Sequence, residues 1–192
     1  MAGYDMVNDF WDRLPVEWKD GRMQRIADGA GRTDEQLDAL ERAAGFTLPA
    51  LFREQYKVQN GGYPKRAYFK DDGPPTEAGA NWRNEDGSYA IFINDSHLPQ
   101  LTGDYYSFRE YLRNIWNDEE IAERFPDWDI DRLVIISPMW GHSTLCLDYG
   151  YRKGTSYAEP QVVCMGDEDF KEILRVAGYE QFVAGLVMRE PE

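Results

Sequence analysis

Cysteine and histidine are scarce, with two of each in 192 residues. Cys146, Cys164, His97 and His142 form no CxxC or HxxxH pair, so the spacing of the common structural zinc sites is missing. Neither GxGxxG nor GxxxxGKS/T occurs, which argues against a phosphate-cradling loop. Long apolar runs are also missing. Val134-Ile135-Ile136 and Phe182-Val183 suit core elements and fall far short of the ~20 residues that span a bilayer. The start, Met1 to Trp11, carries Asp5 and Asp9 and has no basic segment followed by an apolar run, so no signal peptide is expected. The expectation is a cytoplasmic protein with no membrane partner, whose two cysteines stay thiols in a reducing compartment.

Basic residues are in deficit, 21 against 35 acidic ones, giving a formal net charge of -14. A field of that sign repels nucleic acid and attracts basic partners, although an acidic surface also simply aids solubility. The remainder is globular in character: 42% of residues are hydrophobic, enough to build a core without disulfides or metal.

Several local signals place elements. Thr33 and Gln36 have capping-box spacing ahead of an apolar stripe of Leu37, Leu40 and Ala44, and Gly45 closes that helix. Pro49 opens a second helix carrying Leu51, Phe52 and Tyr56, which Asn60-Gly61-Gly62 ends. Tyr63 to Asp86 reads as loop or short edge strands, and Tyr89 to Ile93 as a buried strand. Ser107 and Glu110 repeat the capping spacing before a helix expected to reach about Asn117. Leu133 to Ile136 reads as a strand that Pro138 ends, followed by strands at Thr144 to Tyr149 and Gln161 to Met165. Asp167 is the expected cap of a helix with Phe170, Ile173 and Leu174 that Gly178 stops. A last helix is expected to hold Phe182, Leu186 and Val187. Strands that follow one another between flanking helices give an α+β fold.

A helix ending at Gly45, Leu48-Pro49, a short aromatic helix and Asn60-Gly61-Gly62 follow in that order. Much later come Gly141, Leu145-Cys146-Leu147-Asp148-Tyr149, a turn, and Pro160-Gln161-Val162-Val163. In this order and spacing the chain resembles the SUKH superfamily, which includes many bacterial immunity proteins and a fungal cell-wall assembly regulator. The resemblance covers residues 33–187, so a single domain over 1–192 is expected, with residues 1–32 as an N-terminal extension. It implies a central, largely antiparallel sheet flanked by N-terminal and C-terminal helices, and a surface that sequesters a toxin. His142-Ser143 stand where many relatives carry Gly with Asp or Asn, so the detail of that loop does not carry over.

Catalytic chemistry finds little support. His142, Cys146 and Asp148 suggest a nucleophile, yet nothing in the sequence brings His142 to Cys146, and a small Cys in a core strand is the commoner case. Cys146 and Cys164 can face one another across the predicted hairpin. Asp127, Asp129 and Asp131 mimic the start of a calcium loop, but its sixth position is Arg132 where glycine is needed. No catalytic residue, metal or cofactor is therefore expected.

Partner binding is the better-supported reading. From Asn117 to Asp131 seven acids face one base, Arg124, with Trp116 and Trp128 beside or within the run. An aromatic anchor ringed by Asp118, Glu119, Glu120, Glu123, Asp127 and Asp129 would steer and hold a basic protein. The alternative is a solvated helix face whose tryptophans turn into the core. Trp140 and His142, on the loop after Pro138, form a second candidate surface. The expected function is an immunity protein that occludes a basic toxin domain, such as a nuclease. The alternative is a non-catalytic regulatory scaffold of the cell-wall assembly regulator type.

Overall fold

The computed structural model describes residues 4–13, 16–19, 22–25, 29–71, 73–91, 107–139, 143–166 and 170–188. Its centre is an antiparallel sheet of β7 (Leu133–Met139), β8 (Ser143–Asp148), β9 (Gln161–Gly166) and β10 (Glu172–Val176), in the order β10-β9-β8-β7. Every residue of β8 is buried, as a strand covered on both faces requires.

Alternation along these strands feeds two separate cores. Leu145 and Leu147 of β8, with Val162 and Cys164 of β9, join the first. That layer is closed by α1 (Asp34–Ala44), α2 (Ala50–Val58) and α5 (Tyr179–Ala184). Cys146 of β8 and Val163 and Met165 of β9 join the second, beneath α3 (Phe108–Arg113) and α4 (Asp118–Arg124). The fold is therefore α+β, with an antiparallel sheet between helical layers.

Four smaller strand pairings lie outside this sheet. The strand β1 (Trp11–Arg13) pairs with β4 (Tyr63–Pro64), and β2 (Val16–Lys19) pairs with β3 (Arg22–Arg25). A three-stranded sheet runs β11 (Leu186–Val187), β5 (Tyr68–Lys70) and β6 (Ser88–Ala90). The N-terminal residues are built into the first core: Phe10 is fully buried and Trp11 nearly so. Trp11 Nε1 donates to the Gln55 carbonyl at 2.9 Å, and Gln55 Nε2 donates to the Met6 carbonyl at 2.8 Å. Tyr179 Oη completes the group by donating to Gln55 Oε1 at 2.7 Å.

The helix starts follow the sequence. Thr33 Oγ1 accepts from the Gln36 N–H at 3.3 Å while Gln36 Oε1 accepts from the Thr33 N–H at 3.0 Å, and Gly45 closes α1 at φ 74°. Arg53 on α2 then bridges to Asp34, Asp38 and Glu41 on α1, tying the two helices together.

Four expectations are corrected. Residues Glu172–Val176 form strand β10, where a helix was read from Phe170, Ile173 and Leu174. Its pairing with β9 slips between Glu172 and Leu174, so the strand carries a bulge. A bulge sets neighbouring residues on one face, and Ile173 and Leu174 both enter the first core, imitating helical spacing. Asp167 lies outside the described residues. Gly178 does not stop a helix but precedes α5 as its cap residue, and Leu186 and Val187 belong to β11. Pro138 does not end β7, because β7 is the last strand of its sheet and, among the described residues, Pro138 pairs only with Thr144 of β8, so no outer strand demands the missing N–H. Finally, Cys146 pairs with Val163 while Cys164 pairs with Leu145, so the two thiols point to opposite faces of the sheet.

Candidate partner-binding surface

The acidic run folds as a helix with a strong start. Asn117 Oδ1 accepts from the N–H groups of Glu119 and Glu120, both at 3.0 Å, and Glu120 Oε2 accepts in return from the Asn117 N–H at 3.0 Å. Asp118, Glu119 and Glu120 occupy the first turn of α4, where the helix dipole favours negative charge. The helix expected to reach about Asn117 ends at Arg113, and a separate helix begins at Asp118.

Much of the acidity is neutralised within the chain. Arg113 grips Asp118 through two contacts of 2.9 and 3.0 Å, and Arg109 grips Asp131 through two of 2.6 and 2.9 Å. Hydrogen bonding to Arg113 holds the Asp118 carboxyl below its ordinary range; burial opposes this, and the charges of Arg113 and Arg109 add to the lowering. Asp129 pairs with Arg132 at 3.1 Å. Glu119, Glu123 and Asp127 are exposed, and no cation among the described residues lies within ion-pair distance of them.

The two tryptophans turn inward. Trp116 lies 5.6 Å from Phe170 and 6.1 Å from Phe125, ring to ring, with the Arg124 guanidinium 4.4 Å over its face. Trp128 packs at 4.5 Å on Tyr151 and 4.6 Å on Phe125. Both keep part of their surface in solvent, but neither stands out as an anchor. The exposed apolar side chain here is Ile115, 53% accessible in the turn between α3 and α4. Trp140 and His142 lie outside the described residues.

Beside α4 opens a cleft of about 760 Å³, floored by Trp128, Tyr151 and Phe170. Glu77, Asp127, Arg152, Lys153, Lys171 and Glu172 stand on its walls. A chain of polar contacts fixes this site from the sheet outward. Asp148 is only 1% accessible; its Oδ1 accepts from the N–H groups of Gly150 (2.7 Å) and Tyr151 (2.8 Å), and its Oδ2 from Arg175 Nη1 (2.7 Å). Arg175 also holds Glu172 through two contacts of 2.8 Å. Glu172 Oε1 in turn accepts from Tyr151 Oη at 2.5 Å and Arg152 Nη2 at 2.7 Å. Thr76, also lining the cleft, donates through Oγ1 to the carbonyls of Glu172 and Ile173 beside the β10 bulge, at 2.9 and 3.0 Å. Phe170, at φ 51°, adopts the left-handed conformation that non-glycine residues seldom take.

This clustering of ionisable groups in a cleft is tuned away from proton transfer. Burial pushes Glu172 up, but hydrogen bonds from Arg175, Tyr151 and Arg152 prevail and bring it to about 2. Burial, with the hydrogen bond to Glu172, raises Tyr151 to about 12. At neutral pH the carboxylate is saturated with donors and the phenol keeps its proton, so neither is poised as a general base. Cys146 is fully buried in the second core. No group of three or more potential metal ligands occurs among the described residues.

The family model for the SMI1 / KNR4 family (SUKH-1) matches residues 31–179. The chain belongs to this family. No curated protein matches it in sequence. SUKH-1 domains are generally non-catalytic immunity or regulatory proteins, and membership points to a protein partner. The SUKH-1 match takes in α1, both cores' shared sheet and the whole α4–cleft region, while Phe10 and Trp11 come from outside it. Among the described residues no helix is long and apolar enough to cross a membrane.

Against this SUKH-1 frame, Asp118, Glu119, Glu120, Glu123, Asp127 and Asp129 gather on and just after α4. Sequence reasoning passed over Ile115, Glu77 and the arginines of α3. The pattern Asn117-x-x-Glu120, a capping box like that of α1, was the signal that would have placed α4.

Proposed function

We propose that the chain is a cytoplasmic immunity protein that binds a basic toxin domain, such as a nuclease, and blocks its active site without turnover. The observation that carries this reading is the exposed ridge of Glu119, Glu123 and Asp127. These acids have no cation of the chain within ion-pair reach among the described residues, although neighbouring acids on the same face are paired with arginine. Unpaired carboxylates raise the local negative field and speed encounter with a basic surface. Ile115 supplies an apolar contact beside them. No cofactor is required.

The test is co-purification with the C-terminal domain of a toxin encoded next to this protein, followed by affinity measurements at low and high salt. Tight binding that salt weakens, with loss of toxin activity, is the expected result. The triple variant E119Q/E123Q/D127N should bind at least tenfold more weakly. Unchanged affinity in that variant overturns this choice of surface. Absence of any toxin binding favours the regulatory-scaffold reading.

A further inference from the structure

Aromatic rings on this side of the molecule are capped by the chain's own arginines. Arg124 lies over Trp116 at 4.4 Å, and Arg152 and Arg175 lie over Tyr151 at 5.7 and 5.8 Å. Trp128 differs from these two: it lines the cleft, keeps part of its surface accessible, and no cation stacks on it among the described residues. Its backbone is fixed by a bridge to Arg152, flanked by hydrogen bonds from the Asp129 N–H to the Tyr151 carbonyl (2.5 Å) and from the Lys153 N–H to the Asp127 carbonyl (2.9 Å). The ring is therefore presented on a rigid support.

The charges on the walls are not equivalent. Arg152 is committed to Glu172 and Tyr151, and the Lys153 ammonium donates to the Pro126 carbonyl. Asp127 and Glu77 are exposed carboxylates with no cation in ion-pair reach among the described residues, and Asp127 continues the ridge of α4. A planar cation entering the cleft would meet the accessible part of Trp128 and the Asp127 carboxylate together, on a wall that also carries Lys171.

We propose that the cleft receives an arginine side chain of the basic partner, its guanidinium stacked on Trp128 and paired with Asp127. This rests on the reading of a basic protein partner and adds the residue type that enters the cleft. Guanidinium is favoured over ammonium because it is planar, weakly hydrated, and able to stack and to donate to a carboxylate at once.

The experiment uses the full chain and two probes of equal charge, hexa-arginine and hexa-lysine peptides, titrated calorimetrically at low ionic strength. Wild type should bind hexa-arginine about fivefold more tightly than hexa-lysine. D127N should weaken hexa-arginine about tenfold and bring the two peptides to parity. E119Q, on the ridge but outside the cleft, should weaken both equally and preserve the ratio. W128F, which keeps packing volume but weakens the cation–π contact, should shrink the ratio; D127N changes an exposed residue and decides the matter if W128F does not fold. Parity in wild type, or a ratio that survives D127N, overturns the proposal. The two readings fail separately: an arginine preference without toxin binding overturns immunity alone, whereas toxin binding with parity overturns the arginine site alone.

Discussion

Replacing Arg175 with Met should destabilise the protein by about 3 kcal/mol. The guanidinium joins Asp148, which is 1% accessible, to Glu172, whose side chain is 16% accessible. Removing one member of a buried ion pair leaves its partners desolvated and costs about 3 to 5 kcal/mol. The low end applies because Arg175 is itself 26% accessible, and because Tyr151 and Arg152 still donate to Glu172. For a chain of this size the expected fall in Tm is roughly 8 °C. The same network sets an acid limb. Glu172 is held near 2 against an ordinary 4.5, so its contribution is complete above pH 4.5 and disappears as pH falls from there toward 2. A shift of that size corresponds to roughly 3 kcal/mol, which solvent screening at the rim reduces to about 2 kcal/mol. Urea unfolding followed by tryptophan fluorescence, at pH 7 and at several points down to pH 2.5, measures both effects. R175M should be weaker at pH 7 and should show a flatter acid limb than wild type. Equal stability at pH 7, or an unaltered acid limb, would refute the claim that Arg175 organises the network.

Phe10→Ala should cost about 3 to 4 kcal/mol by urea unfolding, because the ring is fully buried in the first core although it precedes the family match. A change under 1 kcal/mol would show that the N-terminal strand is dispensable. Two glycines in the turn between β8 and β9 separate two kinds of cost. Gly154→Ala, at φ 86° with open space around it, should lose about 1 kcal/mol, whereas at Gly150 (φ 104°) the new Cβ would sit 2.6 Å from the Thr155 carbonyl oxygen and the loss should be clearly larger. Equal losses in thermal melts would contradict the close approach.

The helix ends were legible because caps are local. Thr33, Gly45 and Ser107 act within three or four residues of sequence, and each behaves as its spacing implies. β8 and β9 were legible because burial on both faces leaves a continuous apolar run. What was hidden depends on distant partners. The β10 bulge is defined against β9, and the tolerance of Pro138 follows from β7 lying at a sheet edge. Likewise, the acids of α4 could be counted from the sequence, but which of them are free is decided by Arg109 and Arg113 folding across from α3. The inward packing of Trp116 depends on Phe170 and that of Trp128 on Tyr151, residues that arrive more than twenty positions later in the chain.

The opposite placement of Cys146 and Cys164 gives the molecule a reporter in each layer. They are its only two thiols, and both are sealed in the folded state. Labelling of a variant that keeps Cys146 alone would time the opening of the layer under α3 and α4, and one that keeps Cys164 alone would time the layer under α1, α2 and α5. Opening of the half under α3 and α4 can thus be followed independently of the half that holds the N-terminal strand.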